Sequence, residues 1–506
     1  VTRGRLAVHA HFYQPGRLDP FSGAMPADPT AAPYHDWNAR IDADCYRPNA
    51  ERGTIAHISW DVGPTLAAWL ATEDAATWGA FVRADRRTDR RPAIRLGHGN
   101  GMAQPFHHTI LPLASAADRR TEIRWGLRDF ELRFGRRAEG LWLPETAVDL
   151  ATLRILADEG VRYTILAPWQ ADHPRLDTRR PYRVQLGAGR RIVVAFYDSA
   201  LSAAVSFEPA ATADADHFAR ERVAPRLAGT PFHDGTPGLV LIATDGELYG
   251  HHQPFRDLFL QRLVAPGADG PDRGFDIVDL GSALAEPPGH PFPAVRIMER
   301  TSWSCHHGVL RWCGECPDAG DGRWKQPLRA ALERLAAAID TTTELHFRGL
   351  PTAPDLWEVR DAYVDVVVGV ETPAAFAATW LGDAADSSHR AFLDLMEAQR
   401  WRLAMFASDG WYWDDPARPE TKQVLRSAAR AARLVDHVAG TSLEERLAAD
   451  LALLRSPSLG IDGARILRAA LAEIGQPVGT PADRTAHAGA EAETDATDRS
   501  AGAAAS

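Results

Sequence analysis

Residues 239–252 read Leu-Val-Leu-Ile-Ala-Thr-Asp-Gly-Glu-Leu-Tyr-Gly-His-His, an apolar run that stops abruptly at a carboxylate, a glycine, a second carboxylate and paired histidines. A strand buried in a parallel sheet demands such a run, because both of its faces are covered. The carboxyl ends of such strands are where α/β enzymes place their chemistry. Two further segments repeat the pattern. One is Glu139-Gly140-Leu141-Trp142-Leu143-Pro144-Glu145, and the other is Leu6–Pro15, which carries His9, His11 and Gln14. Three strand-like runs ending in acids or histidines point to one polar, acid-bearing site. Other apolar runs at Ala93–Gly97, Tyr163–Ala167 and Arg191–Phe196 alternate with helical patterns at Thr121–Phe134 and Leu150–Glu159. This alternation predicts an α/β fold with a parallel sheet covered by helices, and the number of strands favours a barrel.

The pattern changes near residue 320. Gln326–Thr341, Leu356–Val368, His389–Ser408, Glu420–Val438 and Ser442–Leu454 carry helical spacing with few strand signals between them. The chain therefore divides into a barrel over residues 1–290, a helical region over 291–475 and a tail over 476–506. That tail is almost devoid of large apolar residues, so disorder is expected there.

Composition narrows the partners. A net charge of −11 over 506 residues leaves no basic footprint for nucleic acid. No apolar stretch approaches the roughly 18 to 20 residues of a membrane helix. Four cysteines do not make a disulfide framework, and Val1–Arg5 runs straight into a strand, so a cytoplasmic protein without a signal peptide is expected. Fifteen tryptophans against nine tyrosines is a high count. Most belong to core packing, yet indole also stacks on the flat C–H faces of sugars, a mild pointer to carbohydrate.

Glu145 and Asp245 each end a strand-like run, which in a parallel barrel stands both carboxylates on one rim. Paired carboxylates are what glycosidic bond cleavage requires, one protonating the leaving oxygen while the other attacks or activates water. Glu247 competes for the role of acid. His9, His11, His107, His108, His251 and His252 gather in the same segments. They suit two chemistries: donors to sugar hydroxyls, or metal ligands of a deacetylase-like carbohydrate hydrolase.

These segments resemble glycoside hydrolase family 57. The family's H-x-H-Q-P motif corresponds to His9-Ala10-His11-Phe12-Tyr13-Gln14-Pro15, with two residues inserted before Gln14. Its glycine-led motif corresponds to Gly101–Leu113 with His108, its third to Trp142–Glu145, and its fourth to Asp245–His251. The resemblance implies an incomplete (β/α)7 barrel followed by an α-helical domain. It also implies a retaining mechanism on α-glucans or maltooligosaccharides without cofactor or metal, with Glu145 as nucleophile and Asp245 as acid/base. Substrate contacts are then expected from His9, His11, Gln14, His108, Trp142, Glu247, His251 and His252. Ser302–Gly308, Arg311-Trp312 and Ser408–Asp415 resemble a subgroup with a C-terminal extension, which adds Trp303, His306, Trp411 and Trp413 as expected contacts.

A retaining enzyme requires the two carboxyls roughly 5 to 6 Å apart. Asp245 must hold its proton near neutrality, so an upward pKa shift is expected, driven mainly by the charge of Glu145 and by partial burial. A catalytically silent glucan-binding homologue is the remaining reading. Cys305, Cys313 and Cys316 with His306 or His307 offer ligands for structural zinc, but a single C-x-x-C is a weak signal and packing is the simpler reading.

Overall fold

The computed structural model describes residues 3–87, 99–232, 235–265, 273–285, 291–350, 352–382 and 384–473. The strand expected at Ala93–Gly97 and the tail at 476–506 lie outside these residues. The described strands are β1 (Gly4–Phe12), β2 (Ser59–Val62), β3 (Gly101–Met102), β4 (Tyr163–Leu166), β5 (Tyr182–Gly187), β6 (Arg190–Phe196), β7 (Leu239–Asp245) and β8 (Phe275–Ile277).

β1 is the hub of the sheet. It pairs in parallel with β7 along one edge, and on the other with β2 near its carboxyl end and β8 near its amino end. β3 pairs with β2, and the segment 140–142 bridges β3 to β4 through parallel pairs Ala103 with Leu141 and Gly140 with Tyr163. β4 then pairs in parallel with β6. The ring returns to β7 where the Asp198 N–H donates to the Leu241 carbonyl at 2.7 Å. The result is an incomplete barrel whose staves run β1, β2, β3, 140–142, β4, β6 and β7. β5 is an antiparallel appendage to β6, joined to it by the turn Gly187-Ala188-Gly189, where all three residues have positive φ.

The two faces of each strand divide the core, as the period of two requires. Leu6, Val8, Ala10 and Phe12 of β1 pack outward with Val240 and Ile242 of β7 beneath the covering helices. Ala7, Leu239, Leu241, Ala243, Ile165, Val193 and Ala195 fill the interior with Trp142. His9 and His11 share the inward parity of Ala7, and Asp245 that of Ala243. The polar groups at the strand ends therefore cap an apolar plug.

The second half of the chain is helical, with Lys325–Arg348, Asp386–Ala404 and Pro419–Ala439 as its longest elements. The last starts with proline at its first turn and stops at Gly440 (φ 63°), whose N–H caps the Asp436 carbonyl. Its buried stripe includes Val424, Leu425, Ala428, Ala432 and Val435. The sequence periodicity finds these helices, with Pro419–Ala439 matched to one residue at each end and Lys325–Arg348 running seven residues beyond the expected Thr341, but it misses Pro373–Leu381 and Gly463–Ala472. Phe106, Ile110, Trp125 and Ala147 from the barrel pack into this helical core. Asp118, on the barrel helix Ala116–Phe134, is clamped between Arg360 at 2.9 Å and Arg402 at 2.6 Å. No described helix is long and apolar enough to cross a membrane.

Candidate active site

Strand register assembles the centre of the site. His11 stands opposite Asp61 on β2 and opposite Asp245 on β7, so the three lie in a row across adjacent strands at the barrel's carboxyl rim. Asp61 is fully buried and holds His9 Nε2 at 3.0 Å and His11 Nδ1 at 2.8 Å, and it accepts a further bond from Gln104 Nε2 at 3.0 Å. Burial alone would strip the proton from His11. The Asp61 carboxylate outweighs it, aided by Asp245 and Glu247, and the imidazole rises to about 9. His108 moves the other way, well below the ordinary range, because it is buried and faces the charged His11. A cationic His11 thus donates from Nε2 to a neutral His108 Nε2 at 3.3 Å, and His108 Nδ1 pairs with Ser408 Oγ at 2.6 Å.

Glu145 follows the segment 140–142 in a left-handed conformation (φ 57°), and so does the β-branched Thr146 after it (φ 47°). Consecutive residues of this kind cost about 1–3 kcal/mol each and persist only where the surroundings impose them. Here Gln170 imposes them, accepting from Thr146 Oγ1 at 2.8 Å and donating to the Thr146 carbonyl at 2.9 Å. The strain aims the Glu145 side chain at the loop 302–304. Trp303 Nε1 donates to Oε2 at 3.0 Å and Ser304 Oγ to the same oxygen at 2.5 Å.

Asp245 opens to solvent at the mouth while protein crowds it from the sides. That crowding raises its carboxyl to about 6. The cationic His11 opposes the rise, and the charges of Glu145 and Asp61 add to it. Burial therefore leads and Glu145 is secondary, which reverses the order of causes expected from sequence. Gly246 lets the following turn pack against β1, since a Cβ there would sit 2.2 Å from the Phe12 ring. Glu247 turns inward, accepting from the Tyr46 hydroxyl at 2.6 Å and the Tyr13 N–H at 3.2 Å, and burial lifts it to about 7.

The expected contacts sort by exposure. Trp303 is half-buried against the Glu145 carboxylate, and His11, His108 and Glu247 line the same polar cluster. His9 is fully buried behind Asp61, and Trp142 is fully buried with both His9 and His11 stacked on it, so these two support the site rather than touch a ligand. Gln14 is also buried, donating to Tyr46 and accepting from Arg17. His251 pairs with Asp44 at 3.0 Å beside Trp37 and His252, while His306 lies at the surface beside Asp318 and Trp169.

Trp411 corrects a further expectation. It is buried in the helical core, stacked on Phe406 and covered by Arg329 at 4.7 Å, whereas Trp413 is 37% exposed under Arg418. Trp411→Ala should lower stability by about 3–5 kcal/mol without changing KM. Trp413→Ala should stay within about 0.5 kcal/mol. Urea denaturation with steady-state kinetics on both variants checks this, and a KM change confined to Trp411→Ala would contradict it.

Sequence reasoning passes over Asp61, Gln104, Tyr13, Tyr46, Ser304, Ser408 and Asp409. The short run Ile58-Ser59-Trp60-Asp61 does carry the apolar-then-acid signature in miniature. Asp409 lies within the segment Ser408–Asp415 without being singled out there, yet Tyr13 donates to it at 2.6 Å, and burial together with Glu420 and Glu145 raises it to about 7 against that hydrogen bond. The helical region thus reaches the barrel mouth through Ser408 and Asp409 as well as Trp303, whereas the indole of Trp411 stays in the helical core. Trp169, 43% exposed at the end of β4 and anchored by its Nε1 to the Ser302 carbonyl at 2.9 Å, offers an open aromatic face near the Glu145 loop.

Residues 97–266 match the family model described as glycosyl hydrolase family 57, and residues 321–472 match a domain of unknown function, DUF3536. No curated protein matches the chain. Among solved structures, an exo-type maltose-forming amylase from Pyrococcus sp. ST04 superposes with a TM-score of 0.69 at 15% identity, covering 95% of this chain and 93% of its own. A branching enzyme from Pyrococcus horikoshii gives 0.58 at 15% identity, with 94% and 98% covered. An alpha-amylase from Thermotoga maritima gives 0.52 at 13%, with 92% and 99% covered. At these identities the likeness is one of fold.

Proposed function

We propose that this chain, which belongs to glycosyl hydrolase family 57, is a retaining glycoside hydrolase or transglycosylase acting on α-linked glucose polymers such as maltodextrin and glycogen. The observation that carries this reading is the placement of Glu145 and Asp245 just beyond the carboxyl ends of two staves of one barrel, the segment 140–142 and β7, where the charge of Glu145 also bears on Asp245. The amylase and branching activities named for the similar structures agree with it.

In the first step Asp245 gives its proton to the glycosidic oxygen while the Glu145 carboxylate attacks the anomeric carbon. The C–O bond breaks, the shortened glucan leaves as an alcohol, and a β-glucosyl ester forms on Glu145. Trp303 and Ser304 both bond Oε2, which leaves Oε1 for the attack. In the second step Asp245, now a carboxylate, takes a proton from an acceptor hydroxyl that opens the ester with net retention. Water as acceptor gives hydrolysis, and a sugar hydroxyl gives transfer. Glu247 is a poorer candidate for the acid because its carboxyl is tied inward to Tyr46 and Tyr13. The metal-dependent deacetylase reading finds little support at the barrel mouth, where both ring nitrogens of His11 and of His108 are engaged with Asp61, Ser408 or one another and His9 Nε2 is held by Asp61.

Incubation with amylose, maltooligosaccharides and glycogen, followed by reducing-end and branch-point analysis, tests the activity and separates the outcomes. No turnover on any of them would refute it. The pH dependence follows from Asp245. Its carboxyl is raised to about 6, so the protonated acid is lost above that pH, and kcat/KM should fall on a basic limb centred near 6. A basic limb below about pH 5 would remove Asp245 from the role of acid.

A further inference from the structure

Beyond the carboxylate pair, the loop that continues from Ser304 gathers a second set of side chains. Cys305 and Cys316 are buried free thiols, and His307 and Asp318 reach them from the solvent side. One donor atom from each of the four lies within 4.8 Å of all the others. The closest approaches are 3.4 Å between the two sulfurs, 3.7 Å from Cys316 Sγ to His307 Nδ1, and 3.0 Å from His307 Nδ1 to Asp318 Oδ2. A tetrahedral zinc ion with bonds of about 2.0–2.3 Å has ligand–ligand edges of roughly 3.3–3.8 Å, so the group needs only small adjustments to close on one. Two sulfurs, an imidazole and a carboxylate make a donor set that suits zinc.

The surroundings fit a clip. Between Ser302 and Trp324 the chain holds one helical turn, Leu310–Trp312, and otherwise runs through short hydrogen-bonded turns such as Gly308 N–H to the Cys305 carbonyl and Ala319 N–H to the Cys316 carbonyl, which place the two cysteines side by side. Asp318 is already oriented by the His306 N–H at 3.0 Å, and Arg311 donates to its carbonyl at 2.9 Å, the outer-shell support that metal ligands need. Cys313 stands apart, its Sγ facing the Val309 carbonyl at 3.6 Å, so the C-x-x-C pair is not the ligand unit.

We propose that Cys305, His307, Cys316 and Asp318 bind one zinc-class divalent cation in a closed four-ligand site. Binding displaces the two thiol protons to solvent and fixes the loop that presents Trp303 and Ser304 to Glu145. With all four positions filled by protein the ion has no place for water or substrate, so its role is structural. The proposal does not depend on the glucan-active reading, because its primary readout is metal content.

The test is elemental analysis of the purified full chain after zinc loading and dialysis. About one zinc per chain is expected for the wild type and for Cys313→Ser, and a small fraction of that for Cys316→Ser and His307→Ala. If those variants do not fold, the metal-stripped wild type titrated with cobalt should show the thiolate charge-transfer and tetrahedral d–d bands at one equivalent. Folded wild type holding less than about 0.1 zinc and giving no cobalt bands would overturn the proposal. So would Cys313→Ser losing metal as completely as Cys316→Ser, or a Cys305–Cys316 disulfide in the freshly isolated chain.

Discussion

A Glu145→Gln variant should keep its fold and lose turnover by roughly 10⁴- to 10⁶-fold, the usual consequence of removing a covalent nucleophile. The fold should survive because Glu145 is half-buried and the glutamine oxygen still accepts from Trp303 and Ser304, a change worth under about 1 kcal/mol. Turnover should collapse because the amide cannot form the glycosyl ester. Azide separates the two carboxylates by stereochemistry. In Glu145→Ala it replaces the nucleophile in a single displacement, so an α-linked substrate yields the β-glycosyl azide. In Asp245→Ala, with a substrate whose leaving group needs no protonation, Glu145 still forms the β-ester and azide opens it to the α-product. The reverse pattern would exchange the roles, and a Glu145→Gln variant with more than about one per cent of wild-type kcat would show that no covalent step runs through it.

How much of this was legible in the sequence depends on distance along the chain. The runs ending at Asp245 and Glu145 are local signals, apolar and then polar, and a parallel barrel turns each into a rim residue. The row Asp61–His11–Asp245 is different, because it exists only through register between strands far apart in sequence. Nothing in a four-residue strand announces that its aspartate will hold two histidines from another. Ser408 pairs with His108 across 300 positions, a contact that no periodicity encodes. The aromatic block Trp411-Tyr412-Trp413 reads the same for either indole, and the one-turn helix Asp409–Tyr412 decides that Trp411 goes inward. Composition misleads at the cysteines too. The C-x-x-C spacing draws the eye to Cys313, while the pairs Cys305-x-His307 and Cys316-x-Asp318 are what the loop brings together. The hairpin of β5 and β6 leaves a trace in the sequence, since Gly187-Ala188-Gly189 lies between the alternating run of β5 and the continuous apolar run of β6.

Asp61 is where the electrostatics of the site and the stability of the barrel meet. It is buried, and burial works against its charge, but His11 and His9 bonded to it more than compensate and hold its carboxyl below the usual range. Asp61→Asn removes the carboxylate bonded to His11, so the buried imidazole must give up its proton or stand without its counter-ion, a loss of about 3–5 kcal/mol. The pH dependence of that loss carries the sign of the linkage. His11 is raised from 6.5 to about 9 in the folded protein, so its contribution is fully present below about 6.5 and is lost as pH rises through about 9. Asp61 is lowered, so its contribution is present above its unfolded value of 3.8 and lost as pH falls through the depressed folded one. The destabilisation by Asp61→Asn should therefore be largest between about pH 4 and 6.5 and shrink towards pH 9.5, which urea denaturation at pH 6 and pH 9.5 measures. An equal loss at both pH values would mean that the pair is not charged in the native barrel. The kinetics supply a second readout that a merely structural residue would not move. The His11 cation holds the Asp245 carboxyl down, so a neutral His11 should let it rise and shift the basic limb of kcat/KM above about 6, even in a slower enzyme.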